Sequence, residues 1–399
     1  MNHDDLNHDD LDQNEPLIVG FAETPYTVAS GRSVFDLAGD VHAQLLESAA
    51  LDNDAIDGLV ACASTTEATN PFWSVYLSDA LGLELDFCQG MDLGGASFIA
   101  GVARAALAIR AGACRRVVVI AADAPSTINR SDPRGYRPEW QDPVGLMGPP
   151  GVFGLLSSRY EAQYGPVQDA LAKLAVTQRQ HALLNDNACA KLRKPLTAEE
   201  YLAARQISTP INLLDCVMSC DGANAVLVTS RRDAGALAER AVRVRGFGER
   251  TNHEIADPVP DITRCGHAVA GAKALRESGL RAADIAMLQP YDDFLIAIVL
   301  QLEALGFCRP GEGRRFVLET DLSHRGSLPI NTGGGQISCG QAGLAGGGLN
   351  FVEAVRQLRG EGGARQVANP RNAMVTGIGS IPYIRNWSMS AVMVLEGLA

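Results

Sequence analysis

Met91-Asp-Leu-Gly-Gly-Ala-Ser-Phe-Ile-Ala100 is the stretch from which the fold can be read. Two adjacent glycines, Gly94 and Gly95, open a run of small and apolar residues from about Ser97 to Ala111, stopped by Gly112. Arg104 and Arg110 are the only charges in that run, and a helix apolar nearly all round is a buried one. Ile56-Asp-Gly-Leu-Val-Ala-Cys62 reads as a strand before it. Val117-Val-Val-Ile-Ala-Ala122 and Ala223-Asn-Ala-Val-Leu-Val-Thr229 read as strands after it.

The second half repeats these parts. Ile285-Ala-Met-Leu-Gln-Pro-Tyr291 predicts a strand, Gly333-Gly-Gly335 a second glycine turn, and a helix then ends near Arg359-Gly360. Ala373-Met-Val-Thr-Gly377 and Ala391-Val-Met-Val-Leu395 predict the closing strands. The repeat is imperfect: Gly94 to Gly112 spans 18 positions and Gly334 to Gly360 spans 26. Strands alternating with helices across short turns predict an α/β body with pseudo-twofold symmetry. The expected divisions are a disordered acidic tail over 1–15, a first half over 16–240 and a second over 241–399. The first half carries an inserted region at about 125–205.

That insertion has two characters. Residues 125–150 are proline-rich, with Arg130, Arg134, Arg137 and Trp140, and read as a long loop. Asp169-Ala-Leu-Ala-Lys-Leu-Ala-Val-Thr-Gln-Arg-Gln-His-Ala182 has good helix formers and no breaker. Such an insertion covers a site, meets a partner, or serves packing alone.

Composition narrows the classes. With 399 residues, 46% of them hydrophobic, the chain can bury two real cores. A formal net charge of −12 argues against nucleic acid, which requires a basic stripe, but leaves room for an anionic cofactor such as coenzyme A. No run reaches the roughly 20 apolar residues that span a bilayer. The opening MNHDDLNHDDLDQNE lacks the basic and apolar regions of a signal peptide, so a cytoplasmic location is expected. The nine cysteines are scattered, with no C-x-x-C pair, and read as reduced thiols. The closest pair, Cys216 and Cys220, lacks further ligands, and no metal site is expected.

The duplicated layout, the turn at 92–97, Asp221-Gly-Ala-Asn-Ala-Val, Tyr291-Asp-Asp-Phe294 and Asn331-Thr-Gly-Gly-Gly-Gln-Ile-Ser-Cys-Gly340 resemble the thiolase superfamily. Together with Gln301-Leu-Glu-Ala-Leu-Gly-Phe-Cys308 and Gly311-Glu-Gly313, they are most similar to its sterol-carrier-protein-x or lipid-transfer-protein branch. The resemblance implies a thiolase fold from about Pro16 onward. It also implies that four polar groups of a thiolase are missing. The nucleophilic cysteine falls at Gly95, the asparagine or histidine of the second motif at Tyr291, the activating histidine at Gln341, and the last cysteine at Gly377. Acyl transfer requires an activated nucleophile and a matched base. Cys339 and Cys88 are the substitutes nearest in sequence.

Thiolase relatives lacking the cysteine include aldolases that shorten CoA-activated steroid side chains, and the resemblance extends to their Tyr-Asp-x-Phe motif. It implies retro-aldol cleavage of a bulky β-hydroxyacyl-CoA, with coenzyme A as part of the substrate and no permanent cofactor. Tyr291 would serve proton transfer. Gly95, Ser97, Gly334, Gly335 and Gly377 would supply the oxyanion and substrate-binding turns. Where the aldolases have a second tyrosine this chain has Gln341, which forms hydrogen bonds but transfers no proton near neutrality. His324 and His253 read as solvated loop histidines. The resemblance further implies a homodimer, joined near 116–122, and a small partner with an OB-fold and a zinc ribbon. Two other functions stay open: a silent acyl-CoA-binding or scaffolding subunit, and an acyl transferase using a non-standard cysteine.

Overall fold

The computed structural model describes residues 13–128, 138–146, 148–381 and 386–398. Arg130, Arg134 and Arg137 of the expected loop lie outside the described residues, as do residues 1–12 of the expected tail. Glu15 is already tied down, because its carboxylate pairs with Arg231 and Arg243. The ordered chain therefore starts before Pro16.

The first half contains β1 (Pro16–Glu23), α1 (Val34–Ala49), β2 (Gly58–Cys62), α2 (Trp73–Ala80), β3 (Phe87–Met91), α3 (Ser97–Arg110) and β4 (Arg116–Asp123). The insertion supplies α4 (Gly148–Tyr164) and α5 (Gln168–Leu183), and β5 (Gly222–Ser230) returns to the sheet. The second half contains β6 (Val242–Thr251), α6 (His267–Ser278), β7 (Leu288–Gln289), α7 (Leu295–Ala304), α8 (Gly335–Cys339), α9 (Gly346–Leu358), β8 (Asn372–Ile378) and β9 (Met389–Gly397).

These nine strands form one sheet in the order β3-β2-β4-β5-β1-β6-β9-β8-β7, and the short strands Gln206–Ser208 and Ile211–Asn212 form a separate antiparallel pair. Within it the duplication is explicit. β2 runs parallel to β4, and β4–β5 and β5–β1 are antiparallel; β7 runs parallel to β8, and β8–β9 and β9–β6 are antiparallel. The second set thus repeats the first without a counterpart of β3. The two sets join where Leu17 and Ile18 pair with Arg243 and Val242.

Helix burial follows layer position. α1 is capped by Ser33, whose hydroxyl accepts from the Asp36 N–H, and it buries one face through Val34, Leu37, Ala38, Val41 and Leu45. α3 is buried on nearly every side and packs against α9, with Phe98 and Phe351 at 5.4 Å between ring centroids. These two helices form the central layer, which explains the apolar composition of α3. Its Arg104 is held by both oxygens of Glu249 on β6, at 2.7 Å each.

Three expectations need correction. The long helix of the second half does not begin at Gly333-Gly-Gly335: that turn opens the five-residue α8, and α9 starts only at Gly346. This break accounts for the longer second spacing. The 285–291 strand pairs over Leu288–Gln289 alone, because Pro290 has no N–H and Tyr291 donates its own to the Thr376 hydroxyl at 2.8 Å. Finally, β4 (116–123) is an interior strand flanked by β2 and β5. The free edge of the first half is β3.

Candidate functional site

Tyr291 occupies the space that a side chain at position 95 would fill. A Cβ built on Gly95 would lie 2.2 Å from the Tyr291 Oη and 2.3 Å from its Cζ. The phenol is therefore where the missing nucleophile's side chain would project, and glycine at 95 is the condition for its being there. Both residues are buried. The Tyr291 backbone is fixed from two sides: its N–H donates to Thr376 Oγ1, and its carbonyl accepts from Gln301 Nε2 at 2.7 Å.

Other backbone crowds the same point. A Cβ on Gly377 would stand 2.8 Å from the Ala96 Cα, and one on Gly347 would stand 2.1 Å from the Gly95 carbonyl oxygen. Gly346 abuts Gln341, whose Cγ would be 2.8 Å from an added Cβ. Gly95, Tyr291 and Gly377 are thus brought together, with Gln341 on the flank. The Gln341 amide is engaged with Gln336, donating from Nε2 to Oε1 at 2.9 Å. Ser97 shapes the turn: its hydroxyl donates to the Gly94 carbonyl at 2.7 Å and accepts the Leu93 N–H at 2.9 Å. The Gly95 N–H makes no hydrogen bond among the described residues. Gly334 and Gly335 lie elsewhere, packed on Ala182 of α5 and on the Asp292 carboxylate.

Asp292 and Asp293 point to different surroundings. Asp292 is fully buried and accepts four hydrogen bonds, from Gln178 Nε2 (2.6 Å), Asn350 Nδ2 (2.9 Å) and the N–H groups of Gln336 (3.0 Å) and Ile337 (3.3 Å). Burial pushes its carboxyl up to about 7 while those donors pull the other way. It ties the Tyr291 loop to the insertion helix α5, to α8 and to α9. Asp293 has no such cradle. Its Oδ1 is buried without a hydrogen-bond partner among the described residues, and burial followed by the nearby Asp292 charge raises its carboxyl to about 7. It lines a small cavity, about 60 Å³, with Val152, Phe153, Ile378, Gly379 and Ile381.

Two histidines differ from expectation. His253 is buried rather than solvated, and burial lowers both it and His324. His324 donates its backbone N–H to His181 Nε2 at 2.9 Å. A third, His267, escaped the sequence reading: it is fully buried, held near 4 by burial, and donates from Nε2 to the Gly377 carbonyl at 3.1 Å. The cysteines offer little nucleophilicity. Burial pushes the Cys339 thiol well above its ordinary range, and Cys88 sits exposed on β3 with its thiol near the Ser74 carbonyl. Among the described residues, no group of three His, Cys, Asp or Glu side chains could hold a metal ion, and no helix is long and apolar enough to cross a membrane.

Residues 248–396 match the thiolase C-terminal domain-like family. The chain is 31% identical over 390 residues to the 17-hydroxy-3-oxo-4-pregnene-20-carboxyl-CoA lyase of Mycobacterium tuberculosis, covering 92% of this chain and 97% of that one. It is 29% identical over 387 residues to the steroid side-chain-cleaving aldolase of Thermomonospora curvata, covering 92% and 95%. Among solved structures, the Ltp2-ChsH2(DUF35) aldolase superposes with a TM-score of 0.84 at 27% identity, over 97% of this chain and 99% of that one. A monomeric SCP2-thiolase-like protein from Mycobacterium smegmatis shares the fold, with a TM-score of 0.72 at 21% identity over 96% and 77%. With a relative 31% identical and spanned almost end to end, the chain belongs to the thiolase superfamily, as an SCP2-thiolase-like member resembling the steroid side-chain aldolases.

Proposed function

We propose that this protein is a carbon–carbon lyase that cleaves a bulky, steroid-like β-hydroxyacyl-CoA by a retro-aldol reaction. The observation that supports it most is the phenol of Tyr291 standing in the space of the absent nucleophile. In this reaction the β-hydroxyl loses its proton and becomes a carbonyl. The Cα–Cβ pair moves onto the thioester as an enolate, and Cα then takes a proton. No covalent acyl-enzyme forms, so the loss of the cysteine removes nothing the chemistry needs.

Tyr291 transfers a proton at this site. The Gly95 N–H, at the start of α3, holds the enolate oxygen, aided by the positive end of the helix dipole. Ser97 keeps that turn in shape, Gly377 leaves room for the thioester, and Gln341 binds by hydrogen bonds. Gly334 and Gly335 act at one remove, by leaving space for Asp292. Coenzyme A is the carrier of the substrate, with no permanent cofactor.

We read the chain as two halves, 16–240 and 241–399, working in the cytoplasm as a homodimer. The exposed edge strand β3, beside the exposed Phe72, Val75 and Tyr76, supports that pairing. A small OB-fold and zinc-ribbon protein is the proposed partner, in keeping with the complex named Ltp2-ChsH2(DUF35).

The test is co-expression with such a partner, followed by assay of 17-hydroxy-3-oxo-4-pregnene-20-carboxyl-CoA cleavage by wild type and Tyr291→Phe. Turnover by the wild type and its loss in the variant, with unchanged melting temperature, is the expected result. Binding of the ester without cleavage would make this chain a silent acyl-CoA-binding subunit. Acylation of Cys339 or Cys88, read by intact mass, would restore the acyl-transferase reading.

A further inference from the structure

We infer that Asp293 is the second proton-transfer group of the site, receiving the substrate's β-hydroxyl at its buried Oδ1. This rests on the lyase reading above. Asp293 Oδ1 is buried and has no hydrogen-bond partner among the described residues, which for a carboxylate oxygen is costly unless a ligand supplies the donor. That side chain lines a cavity walled by the apolar Val152, Phe153, Ile378 and Ile381 and by the polar Gln141 and Ser380, so the donor it awaits comes attached to a body with an apolar face. The cavity also shares a wall with the Tyr291 site, because Gly379 packs against the turn that carries Gly95: a Cβ on Gly94 would lie 2.5 Å from the Gly379 carbonyl oxygen.

At about 60 Å³ the cavity has room for the hydroxyl group itself, with the bulk of the acyl group lying outside it. Asp292 acts on Asp293 electrostatically, and it faces away into its own four donors.

The proton balance closes with both residues in use. Asp293 takes the β-hydroxyl proton as the C–O bond becomes C=O and the Cα–Cβ pair moves to the thioester enolate. Tyr291 gives its hydroxyl proton to Cα. As products leave, the proton on Asp293 passes to the Tyr291 phenolate, and the site is reset with no net gain or loss. A phenol with an ordinary value near ~10 is a good donor and a poor base at neutral pH, and a carboxylate raised toward neutrality suits the complementary task. Asp293 so fills the role that Gln341 cannot.

The test uses the full chain with its co-purified partner and two probes, 17-hydroxy-3-oxo-4-pregnene-20-carboxyl-CoA and its 17-deoxy counterpart. Titration calorimetry on wild type should give about tenfold tighter binding of the hydroxylated ester, the scale of one charge-assisted hydrogen bond. Asp293→Ala and the shape-conserving Asp293→Asn should reduce that preference to within about twofold, and Asp293→Asn should lower kcat by about 10²–10⁴-fold. Equal preference in wild type and both variants overturns the assignment. So does the absence of any preference in wild type, failure to bind included. Wild-type cleavage left undiminished in Asp293→Asn overturns it too, and leaves the lyase reading standing. A wild type that shows the Asp293-dependent preference yet cleaves neither ester keeps the hydroxyl site and removes the lyase reading.

Discussion

The two central helices begin alike and serve unlike ends. α3 follows Gly94-Gly95, and α9 opens on Gly346-Gly347-Gly348. At Gly95 the missing side chain admits a functional group, the Tyr291 phenol. At Gly347 and Gly348 the missing side chains admit the frame of the other half: Cβ atoms there would lie 2.1 Å from the Gly95 carbonyl oxygen and 2.6 Å from the Asn224 Cβ. One glycine makes room for a side chain, the others for close backbone packing. A glycine-rich helix start therefore carries no fixed meaning. What matters is which atoms fill the space it leaves.

The sharpest way to break this comparison is Tyr291→Phe. Loss of a proton-transfer group lowers turnover by about 10²–10⁴-fold, with thermal stability close to wild type. Steady-state cleavage and a melting curve together decide it, and unchanged turnover would remove the phenol from the mechanism.

Substitution of the glycines comes next. Gly347→Ala drives a methyl into backbone that has no freedom to yield, and costs about 3 kcal/mol by denaturant titration. Gly95→Ala meets a side-chain ring instead, so its cost is relieved when the ring is trimmed. In a double-mutant cycle with Tyr291→Ala, the pair couples by about 1–3 kcal/mol. A coupling near zero would show that the phenol does not stand where Gly95 leaves space.

The smallest effects separate the two aspartates. Asp292→Asn turns an amide N–H₂ toward converging donors and costs about 2 kcal/mol at pH 8. Asp293→Asn has the opposite sign, because it removes a charge whose Oδ1 is buried with no partner among the described residues: it stabilises by about 1 kcal/mol at pH 8 and by roughly a third of that at pH 5. The sign follows from the raised carboxyl. Between its ordinary 3.8 and about 7 the folded protein holds a proton that the unfolded chain has released. Stability therefore falls as pH rises through that window and levels off above it. Urea melts at both pH values check it, and a pH-independent effect of Asp293→Asn would contradict the buried, unpaired state.

Much of the fold was legible because its strands are continuous apolar runs. Val117–Ala122, Ala223–Thr229, Ala373–Gly377 and Ala391–Leu395 all lie inside β-strands of the sheet, and the predicted helix from Ser97 ends within a residue of α3. The edge strand was not legible. Phe87-Cys-Gln-Gly-Met91 has no apolar run and alternates between half-buried and exposed, so nothing local marks it as the free edge of the first half.

Tyr291 and Gly95 stand out in the sequence through the motif resemblance, and their contact does not, since 196 positions separate them. Gly334 and Gly335 were read as a second oxyanion turn, whereas a Cβ on Gly335 would meet the Asp292 carboxylate. The roles of Asp292 and Asp293 depend on Gln178, Asn350, Val152 and Ile381, which come together only through tertiary packing. No local signal marks one aspartate as cradled and its neighbour as orphaned.

β1 pairs with β5 on one side and with β6 on the other. It is thus the seam at which both half-sheets are stitched, and peeling it away would open two raw edges at once. Partial melting has no convenient place to halt. The halves, though alike in topology, are therefore expected to unfold as a single cooperative unit, and a chain nicked between β5 and β6 to stay assembled instead of parting into two free domains.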